Sequence, residues 1–326
     1  MNLKAKTWIG LALGGLCLTL LTAPAAPAMA AGKKIIVGEI APIALFWPDF
    51  VALKKGFYAK EGLDIDPIYV GAVAAAVQQV VAGSLDIADT TCETSIRAEA
   101  KTGDVTIIAE MVSKWPYSMM ASPSIKTAAD LKGKKVILST PKQDIALIWD
   151  QWLRDQGMQP TDVDQVFDGA TPNRYAALVN GAVSVAAVSQ PFDFRAMDEG
   201  YKQLVDFSFY AKEYSFVCIV ARKSWLKDNR DTAMAYLRAV SEAVTWLYDP
   251  ANKTEAIDIL TAVSKQNREI VVKTYDYYFD KVHPYSKGLK ISPVGIRNIV
   301  DAVTQIGDMD AATAKQQFYD TSFLPH

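Results

Sequence analysis

An α/β protein of two lobes facing each other across a cleft is the fold class this sequence predicts. Three observations predict it: a duplicated strand–helix–strand unit, a chain too long for one small core, and a composition that is half apolar. The first unit begins at Gly62-Leu63, runs as a strand from Asp64 to Val70, and turns at Gly71 into an Ala/Val helix. It ends at Gly83-Ser84-Leu85-Asp86-Ile87-Ala88. The second begins at Gly157-Met158, runs from Val163 to Phe167, and turns at Gly169 into a helix from Pro172. It ends at Gly181-Ala182-Val183-Ser184-Val185-Ala186. Each helix stops at a glycine, the residue that enters the left-handed C-cap conformation cheaply. Between two such lobes a small ligand would sit.

The other elements follow in order. Lys34 to Ile40 is an apolar strand and Ala41 to Trp47 a loop. Pro48 then opens a helix, where its missing N–H is not needed, and Phe50, Val51, Phe57 and Tyr58 form its apolar face. After the first unit come a loop at Asp89 to Glu93, a helix through Lys101 and a strand from Val105 to Glu110. Met111 to Ala121 is irregular and aromatic, and is expected to cross between lobes. Ala129 to Val136 is a short helix turning into a strand, and the loop Ser139 to Gln143 leads into an amphipathic helix ending at Gln156. Phe192 to Glu199 is helical, the return crossover falls near Tyr210, and Tyr214 to Ala221 is a strand. From Ser224, an expected N-cap, the remainder is helical: Asp231–Tyr248, Asn252–Thr261, Arg268–Asp280 and Pro293–Ile306. The expected divisions are 1–30, a leader; 31–116, the first part of lobe one; 117–213, lobe two; and 214–326, the return and the C-terminal helices, packed mainly on lobe one.

Lys4 and Lys6, the apolar run Trp8 to Leu21 and the site Ala28-Met29-Ala30 form a signal peptide, so the mature, exported chain should begin at Ala31. The apolar run is short of the ~20 residues a membrane span needs. Losing Lys4 and Lys6 from 34 basic residues, against 36 acidic ones, takes the formal charge from −2 to −4. No basic block remains for nucleic acid. Only Cys92 and Cys218 survive cleavage. An oxidising compartment permits a bond between them, but two buried free thiols are the expectation. The two histidines, His283 and His326, lie outside the α/β units, so zinc sites and Ser-His-Asp or Cys-His arrangements lack their histidine. No catalysis, metal or cofactor is expected.

Four stretches carry a family resemblance: Leu53-Lys54-Lys55-Gly56-Phe57-Tyr58 with Glu61-Gly62-Leu63; Ala82 to Ala88; Ala129 to Val136; and Tyr175-Ala176-Ala177-Leu178-Val179-Asn180-Gly181. In order and spacing the chain resembles the periplasmic substrate-binding proteins of ABC importers, in the nitrate, sulfonate, taurine and pyrimidine-precursor branch. The resemblance implies a two-lobed, type II-like periplasmic binding protein fold, two crossovers acting as a hinge, a periplasmic monomer, and a membrane ABC permease with its ATPase as partner. Ser184 departs from the pattern, which usually has aspartate there. Competing readings are a pyrimidine-precursor synthase on the same scaffold, whose cysteine-rich run and sacrificial histidine this chain lacks, and a binding protein that reports to a membrane sensor.

Ligands of open α/β sheets bind at the carboxyl ends of strands, where helix N-termini also point. That rule selects Phe46 and Trp47 after the first strand, and Thr91, Cys92 and Glu93 after the third. In lobe two it selects Thr140, Lys142 and Gln143, then Asn173 and Arg174, then Gln190 and Phe192. Trp115, beside Tyr117, is expected at the floor. Each has a plainer alternative: Phe46 and Trp47 as a helix staple, Trp115 as hinge packing, Lys142 as a solvated charge. Thr91-Cys92-Glu93-Thr94 resembles a Thr-x-Glu-Thr segment of the sulfonate-binding branch. Arg174 is expected to clamp an anion, because a cation at a helix start opposes the helix dipole; the alternative is a surface pair with Asp168 or Asp144. The expected solute is a small organic compound, aromatic or bearing a sulfonate or carboxylate, with a pyrimidine-like heterocycle as runner-up.

Overall fold

The glycines that punctuate the two units do end helices. In the computed structural model, which describes residues 32–211 and 213–325, Gly83 caps its helix at φ 83° and Gly181 follows its helix at φ 72°. The leader lies outside the described residues. In chain order the first elements are β1 (Lys33–Glu39), α1 (Trp47–Lys54), α2 (Phe57–Lys60), β2 (Leu63–Tyr69), α3 (Val73–Ala82), β3 (Ile87–Thr91), α4 (Cys92–Thr102) and β4 (Val105–Val112). There follow β5 (Tyr117–Ala121), β6 (Lys135–Leu138), α5 (Asp144–Asp155), β7 (Asp164–Phe167), α6 (Thr171–Val179), β8 (Val185–Ser189), α7 (Phe192–Asp198), β9 (Lys202–Asp206) and α8 (Phe207–Tyr210). Last come β10 (Val217–Arg222), α9 (Lys223–Leu247), α10 (Lys253–Ser264), α11 (Arg268–Asp276) and α12 (Pro293–Gln305).

Two sheets result, in the orders β2-β1-β3-β10-β4 and β7-β6-β8-β5-β9. They repeat one design. Three parallel strands come from the strand–helix–strand unit, and an antiparallel strand then joins the third. β4, β5 and β8 are buried along their whole length, which suits their continuous apolar runs. The chain leaves the first sheet after Val112, enters the second at Tyr117, and returns to the first at Val217. The late helices pack mainly on the first lobe but also reach the second. Tyr277 donates to Asp206 at 2.6 Å and Lys273 pairs with Asp198.

Four local readings change. Met111 to Ala121 is not irregular: β4 runs on to Val112, and Tyr117 to Ala121 pairs with both β8 and β9. Local alternation could not announce a strand buried on both faces. β9 was not anticipated, being short and largely polar. Ser224 is not the N-cap of α9 but lies in its first turn, held by Asp104. Cys92 and Cys218 form a disulfide with Cα atoms 4.9 Å apart, instead of two free thiols. β10 lies beside β3, placing Cys218 opposite Thr90, and the first turn of α4 carries Cys92 over it.

The bond closes a loop spanning 126 residues, for which the chain-entropy argument gives a ceiling of about 5 kcal/mol. Replacing both cysteines by alanine should lower unfolding free energy by roughly 2–5 kcal/mol in urea titrations. Equal stability of the variant and the oxidised wild type would show that the bond contributes nothing.

Candidate functional site

Where the carboxyl ends of the two sheets meet, a cavity lies between the lobes. Ile43, Leu45, Phe46, Ile145, Tyr117 and Phe216 supply apolar and aromatic walls. Thr90, Thr91, Ser139, Gln143, Asp144 and Thr171 supply polar ones. It measures about 30 Å³, room for little beyond a water or two. The lobes touch around it: Gln143 donates to Thr94 at 3.0 Å, Arg97 to the Lys142 carbonyl at 3.1 Å, and the Ala44 amide to the Gln190 carbonyl at 3.3 Å.

Four helices begin at the cavity. α4 is capped by Thr91, whose Oγ1 accepts from the Thr94 amide. The N-caps of α3, α5 and α6 are Ala72, Gln143 and Ala170, and none makes a side-chain capping bond. Alanine is among the poorest caps. Their first-turn N–H groups and the positive ends of three helix dipoles thus face the cavity wall.

The floor is organised by Arg174, which is fully buried and does not line the cavity. Its Nε donates to the Ala187 carbonyl at 2.6 Å, and Nη1 donates to the carbonyls of Asp168 and Gly169 at 2.7 and 2.8 Å. Nη2 donates to the Tyr117 and Thr171 hydroxyls at 3.2 and 3.1 Å. All five guanidinium N–H groups are therefore engaged. Arg174 is neither the direct anion clamp nor the surface ion pair that the sequence suggested. It stands one hydroxyl behind the cavity and makes no ion pair among the described residues.

Asp144, at the first turn of α5, is buried with Oδ2 unpartnered. Burial, and then the nearby Glu93 carboxylate, push its carboxyl well above the usual range. Glu93 is also buried and raised by burial, opposed by its ion pair with Arg97. It faces the seam beside Asp144, not the cavity.

The remaining candidates divide. Phe46, Thr91 and Gln143 line the cavity as placed. Trp47 turns away: one helical step from Phe46, it donates to the Ala256 carbonyl and packs edge-on against Tyr275, Tyr278 and Phe279. Trp115 packs at the crossing, stacked 4.1 Å from Phe216 and donating to the Tyr214 carbonyl. Cys92 is consumed by its disulfide. Thr140 and the exposed Lys142 stand outside the cavity, and Ser139 takes the lining position instead. Asn173 is exposed beside Asp168, Gln190 is buried against Asp193, and Phe192 packs on Tyr175. Phe216 and Asp144 were missed. Phe216 follows a return crossover whose register no local pattern reports, and an aspartate in a first helical turn ordinarily reads as a dipole partner.

The NMT1/THI5-like family model matches residues 44–253. YtlA of Bacillus subtilis, which carries the name of a binding protein, is 24% identical over 78% of this chain and 77% of its own length. The nitrate/nitrite binding protein NrtA of Synechococcus elongatus is 28% identical over 42% of this chain, a match spanning 32% of that protein. Among solved structures, the alkanesulfonate-binding protein SsuA from Xanthomonas axonopodis pv. citri, bound to MOPS, superimposes with TM-score 0.72 at 15% identity, covering 87% of this chain and 98% of that one. The periplasmic nitrate-binding protein NrtA from Synechocystis gives TM-score 0.73 at 19% identity, over 87% and 84%. The fold is that of periplasmic binding proteins.

Two variants test this geometry. Arg174→Lys offers three donors in place of five and should lose about 2–4 kcal/mol in urea titration through unmet buried carbonyls. Unchanged stability would remove Arg174 from its structural role. Gly169 is a close-approach glycine: a Cβ there would meet Ala72 Cα and Cβ at 2.9 Å and the Gly71 carbonyl at 3.0 Å, across the seam. Gly169→Ala should hold the lobes apart, enlarging the radius of gyration in X-ray scattering while unfolding stability stays within about 0.5 kcal/mol. A radius equal to wild type would show that the seam yields elsewhere.

Proposed function

We propose that this chain, which belongs to the NMT1/THI5-like family, is the exported solute-binding component of an ABC import system. It captures a small organic solute between its lobes and delivers it to a membrane permease. The residues up to 116 and from 214 onward serve as lobe one and residues 117–213 as lobe two, hinged at the two crossings. Maturation removes the first thirty residues in the periplasm.

One observation carries the reading of the solute: three helix N-termini without side-chain caps converge on a cavity backed, one hydroxyl away, by a guanidinium that has no carboxylate partner. Both features favour negative charge in the cavity. Burial raises the Asp144 carboxyl above its usual range, and in its protonated form it offers an O–H to an anionic head group instead of repelling it. Phe46, Tyr117 and Phe216 suit an apolar or aromatic body. The solute is therefore a sulfonate or carboxylate on a compact organic body. A synthase would need a histidine here, and His283 packs instead on Tyr248, outside the cavity.

A thermal-shift screen of sulfonates and aromatic carboxylates, each beside its neutral amide, tests this. At a hundredfold excess over its dissociation constant an anionic ligand should add ~2.7 kcal/mol, and the matching amide far less. Because the Asp144 pKa is raised, anion affinity should be highest where Asp144 is protonated and should fall as pH rises through that pKa. Arg97, Glu93 and Lys142 are the charged neighbours at this seam, and Asp144→Asn should flatten the fall. Equal response to amides and anions, or an unaltered pH profile in Asp144→Asn, sinks the anionic reading.

A further inference from the structure

Three carboxylates are buried together on the face of the first sheet that α1, α2 and α9 cover. Glu39 ends β1, Asp49 lies in the first turn of α1, and Asp89 lies in β3; their exposures are 2%, 4% and 0%. Two phenols serve them. Tyr58 donates to Asp49 Oδ1 at 2.5 Å, and the Tyr236 hydroxyl sits 2.7 Å from Asp49 Oδ1 and 2.9 Å from Asp89 Oδ2. Tyr236 has one proton for two acceptors. Glu39 Oε2, Asp49 Oδ2 and Asp89 Oδ1 have no partner, and no ion pair among the described residues involves any of the three. Buried carboxylates in this state must either take up protons or meet a cation.

A cavity opens onto them. It holds about 500 Å³ between the β1–β2 side of the sheet and helices α1, α2 and α10, and both Glu39 and Asp49 line it. Phe50, Tyr58, Ile65 and Val263 give it apolar walls, and the exposed Leu53 and Tyr69 stand at its mouth. That volume is within the range of pockets that enclose small molecules, roughly 300–1,000 Å³. Among the described residues no trio of His, Cys, Asp or Glu is placed to hold a metal ion. An apolar sleeve ending in unpaired carboxylates is complementary to an ammonium group on an apolar body.

We propose that lobe one carries a second binding site, separate from the interlobe cleft, in which Glu39 and Asp49 hold the ammonium group of an organic amine whose apolar part fills this cavity. The carboxyl of Asp49 is pushed up to about 6 by burial, and those of Glu39 and Asp89 are raised well above the usual range, by burial first and by the Asp49 carboxylate next. The sign follows. Raised pKa values give stability that is fully present below the unfolded carboxylate range and is lost as pH climbs through the folded values. A bound amine offsets that loss, so its effect grows with pH. The other charged groups at the cavity are Lys54, Glu255 and Asp258; Glu255 is already paired with Lys55 and Asp258 with Arg268. Tyr69, Tyr58 and Tyr236 are the remaining titratable neighbours, all held protonated.

The test uses the whole mature protein with phenethylamine, its isosteric alcohol 2-phenylethanol, and zinc or magnesium chloride as probes. At pH 8 phenethylamine at a hundredfold excess over its dissociation constant should raise the melting temperature by roughly 5 °C, and at pH 5 by much less. The alcohol should do neither. Glu39→Gln and Asp49→Asn, which keep shape and remove charge, should melt higher than wild type at pH 8 and lose the amine response. Four results would overturn the proposal: equal shifts from amine and alcohol, a shift from the metal ions alone, an amine response that survives in both variants, or an amine response that appears only once Lys54→Met has been introduced. The last would mean that Lys54 itself is the cation of this cavity.

Discussion

The buried guanidinium of Arg174 is the interaction on which the cleft depends. It binds carbonyls of the loop before α6, a carbonyl of β8, and the hydroxyl of Tyr117 on β5, and so ties that loop to two strands that already pair with each other. The loop it fixes contains Gly169, the residue that packs against Gly71 and Ala72 of the other lobe. Without those five bonds the loop carbonyls would lie buried and unsatisfied, at a cost of about 1–3 kcal/mol each. The position of the lobe-two wall, the start of α6 and the fit of the seam therefore rest on a side chain that does not line the cavity.

Capping varies along the chain: Asn267 caps α11 and Ser292 caps α12, whereas α9 and α10 have no side-chain cap. At the cavity, α3, α5 and α6 go without, a sacrifice of about 1 kcal/mol each. At these three ends a bound anion would restore the missing partner, and the loss is offset elsewhere. The disulfide between α4 and β10 and the aromatic cluster of Trp47 with Tyr275, Tyr278 and Phe279 are such offsets. Both lie behind the first lobe's wall of the cleft, so rigidity there accompanies exposed helix ends in front.

What local sequence could say, it said. Glycine-ended helices, the amphipathic α5 and the Pro48 helix start depend on neighbours within a turn or two, and the two parallel three-strand units follow from them. The strands that complete each sheet depend instead on distant pairing. β10 reaches β3 from across the second lobe, and with it come the Cys92–Cys218 bond and Phe216 in the cavity. Loop position put Phe46, Thr91 and Gln143 at the cleft, and they line its cavity, because strand ends face it. It could not tell which of two adjacent residues points inward, so Trp47 was chosen with Phe46, and Thr140 in place of Ser139. Arg174 was noticed for a sound reason, a cation at a helix start. Its burial, which turns that anomaly into a floor and not a clamp, is a tertiary fact.

The buried acids sharpen the distinction between structure and site. Glu99 accepts from the Val105 amide and pairs with Lys223; Asp193 accepts from Ser118, Gln190 and the Phe194 amide. Each has partners on both oxygens and is explained by the fold alone. Glu110 is intermediate. One oxygen takes Ser215 and the Ser292 amide, the other takes nothing, and neither cavity borders it; burial lifts its pKa to about 7, so a proton completes it. Asp144 and the Glu39–Asp49 pair differ in having orphaned oxygens where a cavity is also present. A proton can neutralise a carboxyl, but it cannot fill the space beside it. Where an unmet polar atom borders a cavity, a ligand would supply both a partner and packing, and among the described acids that coincidence occurs at these two places.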